Sequence, residues 1–381
     1  MPQLFTHLRQ LFPRPAAREE IAIAHDYLTQ KGGAERVVLA MHRAFPEAKI
    51  YTTLYEPEAT FPEFADAEIV VSPLNRIGFF RRNHRYALPV LPLVSSALKV
   101  PARKTLVSST GWAHGFNFAG KSFIYCHSPA RWVYLADQYL GKNESSAMGY
   151  ALKILLPLLK LWDQKVARRA GTYVANSTTI QQRIKDVYGR DVDIIFPPFS
   201  LQVDAAEAPV EGLEDFLDDG DYFLLVSRLM PYKNIDRVVE AFNLMGKKLL
   251  VIGAGPMEEE LKNMAGPSVE FVANIADEQL RFAYAHCKAL LAVSYEDFGL
   301  TPLEAGAYGK PTIALKAGGY LDTIRESING VFIEKPTVEN ICSAVERFDP
   351  EAFDAGKIQD YVQSFSEERF IQKLRERISS L

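Results

Sequence analysis

Cysteine is nearly absent from this chain. Cys126, Cys287 and Cys342 are odd in number and scattered, so they supply neither a disulfide framework nor the paired spacing of a zinc site, and a reducing cytoplasm is the expected compartment. Long apolar runs are missing too. The stretches 87–94 and 154–159 are interrupted by Pro89, Pro92 and Pro157 and fall far short of the ~20 residues a membrane-spanning helix needs. The first residues lack the compact apolar block and small-residue cleavage site of a secretory leader. No internal repeat or low-complexity tract stands out.

What is present is core-forming material: 48% apolar and 24% charged residues over 381 positions suit about two globular domains. The net charge of −4 hides an asymmetry. Residues 1–200 carry 25 Lys and Arg against 16 Asp and Glu, net +9, and the remainder carries 18 against 31, net −13. The first half is therefore expected to meet something anionic. Its densest basic part is the segment 76–94, opening on Arg76 and closing on Val94, where Arg81, Arg82 and Arg85 interleave with Phe79, Phe80 and Tyr86. An anionic membrane surface is the partner we assign to it rather than nucleic acid, although a solvated basic face leaves the same trace.

The order of patterns gives an architecture. Leu4, Leu8, Leu11 and Phe12 form a short amphipathic arm over residues 1–18, stopped by Pro13 and Pro15. A buried strand at 21–24, a loop containing Gly32 and Gly33, and a helix with Val37, Val38 and Met41 on one face open a parallel sheet. The prolines of IIFPPF place a boundary near residue 200. Beyond it strands such as YFLLVS, KLLVIG and ALLAVS alternate with helices, the signature of a doubly wound α/β domain that binds ligands at its strand carboxyl ends. The expected layout is an arm (1–18), a first Rossmann-like domain (19–200), a second (201–362) and a final amphipathic helix (363–381) after a break at Ala355 and Gly356.

Three loops of the second half fall at strand ends. SRLMPYKN offers Arg228 and Lys233, two cations beside a helix start, which would clamp a diphosphate; a pair of surface cations at a turn would look the same. IGAGP, residues 252–256, gives glycines that suit a ligand or merely a tight turn. SYEDFGLTPLEAGAYGKP sets Glu296 and Glu304 with seven residues between them, with Thr301 able to cap the following helix and Pro302 suited to its first position. Two carboxylates there can accept sugar hydroxyls while backbone N–H groups near Phe298, Gly299, Leu300 and Thr301 face a phosphate; equally, Thr301 and Glu304 make a capping box that needs no ligand. In the first half, His127 follows the strand SFIYC, where it can hydrogen-bond a substrate hydroxyl or be structural. Gly32 and Gly33, just before a helix, could present N–H groups to the donor phosphate or let the acceptor approach, or equally form a plain helix-entry turn. His25 and Asp26 end the first strand, where they could line an acceptor site.

Taken together, EDFGLTPLE, VSRLMPYKNID, HDYLTQKGGAERV, YCHSPARW, VANS and FSEERF resemble the family 4 retaining glycosyltransferases, from about residue 21 to 374. The resemblance implies the GT-B fold: two facing Rossmann-like domains, each a doubly wound parallel sheet, with a cleft between them. It implies that Arg228 and Lys233 neutralise a leaving diphosphate, Glu304 binds ribose hydroxyls and Glu296 holds hydroxyls of the donor sugar. His127 would contact the sugar's 6-hydroxyl, and the final helix would cross back onto the first domain. The matching branch is bacterial mannosyltransferases of O-antigen and exopolysaccharide synthesis. It implies a nucleotide-sugar donor, GDP-mannose first, and a lipid-linked saccharide acceptor, with no metal and no other cofactor, at the inner face of a membrane. Two departures are Asn274, where relatives often carry arginine near the base, and Leu321 or Asp322 in place of a glutamate. A UDP- or ADP-sugar transferase, an epimerase or phosphorylase on the same fold, and a non-catalytic nucleotide-sugar module are the alternatives.

Overall fold

The computed structural model describes residues 16–135, 147–199, 203, 205–218 and 220–381; most of the expected amphipathic arm lies outside the described residues. Contacts divide the chain into Met1–Pro198 with Glu367–Leu381, and Phe199–Ser366. The first unit holds β1 (Glu19–His25), β2 (Lys49–Thr52), β3 (Ile69–Val71), β4 (Ala102–Ser109), β5 (Lys121–Cys126), β6 (Thr172–Ala175) and β7 (Asp193–Ile194). They lie in the order β3–β2–β1–β4–β5–β6–β7, all parallel. The second unit holds β8 (Tyr222–Val226), β9 (Lys248–Ile252), β10 (Val269–Val272), β11 (Ala289–Ala292), β12 (Thr312–Leu315) and β13 (Gly330–Ile333). Their order is β10–β9–β8–β11–β12–β13, again parallel throughout.

These strands read as apolar runs because helices cover both faces of each sheet, which buries the positions at the centre of each sheet. Residues 222–225 of β8 and 22–25 of β1 are all buried. In the first unit, α1 (Gly33–Ala44) turns Val37, Val38 and Met41 into the core, and the long α2 (Ala147–Arg169) adds Leu159 and Trp162 to a second cluster with Trp112 and Trp132. In the second unit, α3 (Ile235–Met245) buries Val238, Val239 and Phe242 and stops at Gly246 in the left-handed conformation. The short α4 (Thr301–Ala307) follows β11.

The sequence expectation of a break at Ala355 and Gly356 is corrected: α5 (Ala355–Val362) begins there, because the Asp354 side chain accepts from the Lys357 N–H at 2.9 Å and caps it. The final helix, α6 (Glu367–Ser379), belongs to the first unit. It buries Phe370, Leu374 and Ile378 in that core, pairs Glu367 with Arg43, and has Arg375 Nε donating to the Ala44 carbonyl at 3.2 Å.

In both sheets the order of the strands reverses once, between β1 and β4 and between β8 and β11. At such a reversal the crossovers run to opposite faces and leave a crevice outside the strand carboxyl ends, where α/β sheets take their ligands.

Candidate active site

The reversal in the second sheet brings together the loops after β8 and β11. Past Val226 the chain runs alongside the IGAGP loop, Ser227 N–H donating to the Ile252 carbonyl at 3.0 Å and Leu229 N–H to Ala254 at 3.0 Å. A Cβ at Gly253 would stand 1.8 Å from the Ser227 carbonyl oxygen, so this glycine is required by loop-on-loop packing, whatever binds nearby. A turn over Pro231–Lys233 then leads to Asn234, left-handed at φ 57°, whose Nδ2 donates to the Val293 carbonyl at 3.0 Å and ties this loop to the end of β11.

That tie sets Lys233 against Glu296. The lysine is 7% exposed, and its Nζ donates to Glu296 Oε1, which also accepts from Ser294 Oγ at 2.7 Å. Ser294 Oγ lies 3.2 Å from the hydroxyl of buried Tyr320. The backbone of Glu296 is fixed as well, its carbonyl accepting from Gly319 N–H at 2.8 Å, an approach so close that a Cβ on Gly319 would come within 2.1 Å of Phe298 Cα. Arg228 is exposed beside this pair in sequence, and among the described residues no carboxylate pairs with it. Phe298 is buried, Gly299 faces the Tyr320 ring, and Leu300 takes the N-cap position of α4. The capping box, the alternative reading of this spacing, is absent: α4 begins at Thr301 without a side-chain cap, and Glu304 Oε2 accepts from the Tyr284 hydroxyl at 2.7 Å. Tyr284 stands on the preceding crossover helix, Asp277–His286.

The reversal in the first sheet brings together the ends of β1, β4 and β5. His25 is paired in register with Ser108. Its Nδ1 lies 3.2 Å from the Ser108 carbonyl and 3.0 Å from Ser108 Oγ, and Ser108 Oγ lies 2.8 Å from Nε2 of His127. On its other side, His25 Nε2 stands 3.8 Å from Oε1 of Glu35, an ion-pair rather than a hydrogen-bond separation. Glu35 is 1% exposed in the first turn of α1, with Gln30 Nε2 donating to Oε1 at 3.0 Å. Burial works against a charged His25 ring, but the Glu35 carboxylate outweighs it and the pKa is raised. Burial, then the charges of His25 and Arg131, push His127 down to about 3, so its ring is neutral.

Asp26 does not present its carboxylate to a ligand. Oδ2 accepts from the Thr110 N–H and from Thr110 Oγ1 at 2.5 Å, and Oδ1 accepts from the N–H groups of Ala113 and, at 2.9 Å, Trp112. Asp26 is thus the anchor of the loop after β4. Gly32 is the N-cap residue of α1 and Gly33 its first residue. The site residues therefore gather in two groups, each within one unit. Sequence patterns did not reveal Ser108, Glu35, Ser294, Tyr284 or Tyr320, whose roles depend on which strands are neighbours. A hollow of about 640 Å³ in the first unit, lined by Lys121, Lys165, Arg169 and Trp162, lies at the amino ends of β5 and β6, the wrong end for the crevice just described.

With this geometry in view, the comparisons with known proteins are specific. The model of the Glycosyltransferase Family 4 matches residues 31–202, and that of the Glycosyl transferases group 1 matches residues 214–349, so the two together take in well over half of the chain. The chain belongs to the family 4 glycosyltransferases. Human alpha-1,3/1,6-mannosyltransferase ALG2 is 27% identical over 364 residues, covering 83% of this chain and 84% of the human protein. The GDP-mannose-dependent alpha-(1-6)-phosphatidylinositol monomannoside mannosyltransferase of Mycobacterium tuberculosis is 29% identical over 240 residues, 55% of this chain and 60% of that one. Among solved structures, Anabaena Alr3699/HepE in complex with UDP superposes with a TM-score of 0.68 at 17% identity, covering 95% of this chain and 100% of that one. Such a likeness establishes the GT-B fold of the family.

Proposed function

We propose that this family 4 glycosyltransferase moves mannose from GDP-mannose to a lipid-linked saccharide, with retention of configuration and without a metal, in cell-surface polysaccharide synthesis. The observation that carries the reading is the Lys233–Glu296 contact at the strand reversal, with exposed Arg228 earlier on the same loop: cations for a diphosphate and a carboxylate for sugar hydroxyls. In this reading Arg228 and Lys233 take the diphosphate together with N–H groups around residues 298–301. Glu296 holds the sugar, Glu304 the ribose, and His127 the 6-hydroxyl. The bond from C1 to the leaving phosphate oxygen breaks as the acceptor oxygen bonds to C1 on the same face, and the acceptor proton passes to the departing phosphate. Preorganised cations stabilise the charge that develops on the leaving group. The names of the human and mycobacterial relatives support mannose, and the second of them supports GDP.

A thermal-shift screen tests the donor, because a ligand that binds the native state raises its melting temperature by mass action. GDP-mannose should stabilise more than UDP- or ADP-sugars at equal concentration; a larger shift with a UDP-sugar would reassign the base.

For the acceptor side we propose peripheral attachment at the inner face of the membrane. Phe79, Tyr86, Val90 and Leu93 are exposed, Arg76 and Arg82 are exposed among them, and Ile154, Leu158 and Leu161 of α2 are exposed as well. Arg81 contributes less than its place in the sequence suggests, because Nε donates to Glu56 at 3.0 Å and Nη1 to the Asn75 carbonyl at 2.7 Å. Flotation with anionic vesicles should fall when salt is raised and when Phe79 and Leu93 are replaced by Asp. Binding indifferent to lipid charge and salt would remove this role.

A further inference from the structure

The chain of polar atoms from Glu35 through His25 and Ser108 to His127 crosses three neighbouring strands at the sheet reversal, and its directionality follows from hydrogen-bond valence together with burial. A carbonyl oxygen is only an acceptor, so the contact between His25 Nδ1 and the Ser108 carbonyl requires a proton on Nδ1. The same N–H points at Ser108 Oγ at 3.0 Å, which therefore receives there and is left with its own hydrogen to give. Among the described residues its remaining partner is His127 Nε2 at 2.8 Å, and were Oγ to accept there with its second lone pair, its own buried hydrogen would be left without an acceptor, so Oγ–H donates to Nε2. Nε2 accepts, so the neutral ring of His127 carries its hydrogen on Nδ1. Both His25 and Ser108 are buried to within 1%, where water does not compete for these atoms.

We infer that Ser108, held by His25, is a positioning residue that fixes His127 as the Nδ1–H tautomer and so makes it a hydrogen-bond donor, not an acceptor, toward the substrate hydroxyl it meets. Free histidine favours the opposite tautomer, so a fixed Nδ1–H form is a property the surroundings impose. Glu35 is one step further back: it neutralises the charge on His25 and helps hold the ring in place. The consequence for specificity is that the sugar oxygen facing His127 must offer a lone pair, and a donor that lacks that oxygen leaves the N–H without a partner.

The inference rests on the proposed role of His127 at the sugar's 6-hydroxyl, and the test has two arms that fail separately. In the first arm, long-range ¹H–¹⁵N correlation spectra of the full chain with ¹⁵N-histidine, assigned with His127→Asn, should show His127 neutral at pH 7 with Nδ1 protonated and Nε2 bare. Ser108→Ala should shift it toward the Nε2–H form. A wild-type signal with Nε2 protonated overturns the inference whether or not transfer is ever observed, and it decides the matter even if Ser108→Ala does not fold. In the second arm, transfer from the 6-deoxy form of the donor sugar should be roughly fivefold to tenfold slower than from the normal donor in wild type, the scale of one lost hydrogen bond. In Ser108→Ala the two donors should differ by less than about twofold, because the N–H is no longer aimed. A merely structural serine would lower both rates and leave the ratio alone, which contradicts the inference. Absence of transfer from any donor sinks the proposed function and leaves the tautomer measurement standing.

Discussion

Lys233 is only 7% exposed, and the Glu296 carboxylate stands against its ammonium group. The pair is preformed, so under the proposed function a diphosphate would meet a lysine already held in place instead of a flexible side chain that has to be ordered. His127 shows the opposite strategy, burial without charge. Its pKa is driven from 6.5 down to about 3, so between those values the unfolded chain binds a proton that the native chain does not. Stability therefore falls as pH drops below 6.5, at up to ~1.4 kcal/mol per pH unit from this residue. His25 runs the other way, its raised pKa giving stability that is present below 6.5 and is lost as pH climbs through the native value. Between pH 5 and 6.5 it is protonated in the native state and mostly protonated in the unfolded chain, so its smaller opposite slope lies near the upper end and is common to wild type and a His127 variant. Unfolding followed by the fluorescence of Trp112, Trp132 and Trp162, all in the first unit, should show His127→Asn losing less stability than wild type over that interval. Equal slopes would refute a buried neutral His127.

At the scale of elements, what holds each group of site residues in place is contact between loops that are far apart in sequence. Asp26 gathers four donors from residues 110–113, and its removal would strand several buried N–H groups at once. We expect Asp26→Ala to destabilise the first unit by at least ~3 kcal/mol, read by tryptophan fluorescence in denaturant, with Asp26→Asn in between. An Asp26→Ala variant as stable as wild type would mean that the loop is held elsewhere. These ties are what sequence patterns leave hidden. The strand and helix alternation, the loops carrying Arg228, Lys233, Glu296 and Glu304, and the strand-end position of His127 are all legible from local periodicity. The ties are not, because Asp26 and Thr110 are 84 positions apart and the order of strands leaves no trace in spacing. Local signals also misled where a distant partner competed. Thr301 and Glu304 have the spacing of a capping box, yet Tyr284 takes the carboxylate, and Ala355 with Gly356 reads as a break until Asp354 caps the helix that starts there.

At the scale of the whole molecule, the same strand order recurs in both units, and each reversal gathers one half of the candidate chemistry: cations and carboxylates in the second sheet, a neutral histidine held by a polar chain in the first. Fold alone leaves the reaction open, and the residues at the reversals are what argue for transfer. The most direct test is the anomeric configuration of the product formed from GDP-mannose in the presence of a chelator, with Lys233→Ala alongside. The account predicts an α-linked product from the α-linked donor, formed at an undiminished rate without divalent metal and slowed by roughly a hundredfold or more in the variant. A β-linked product, a strict need for manganese or magnesium, or a Lys233→Ala variant as fast as wild type would contradict it.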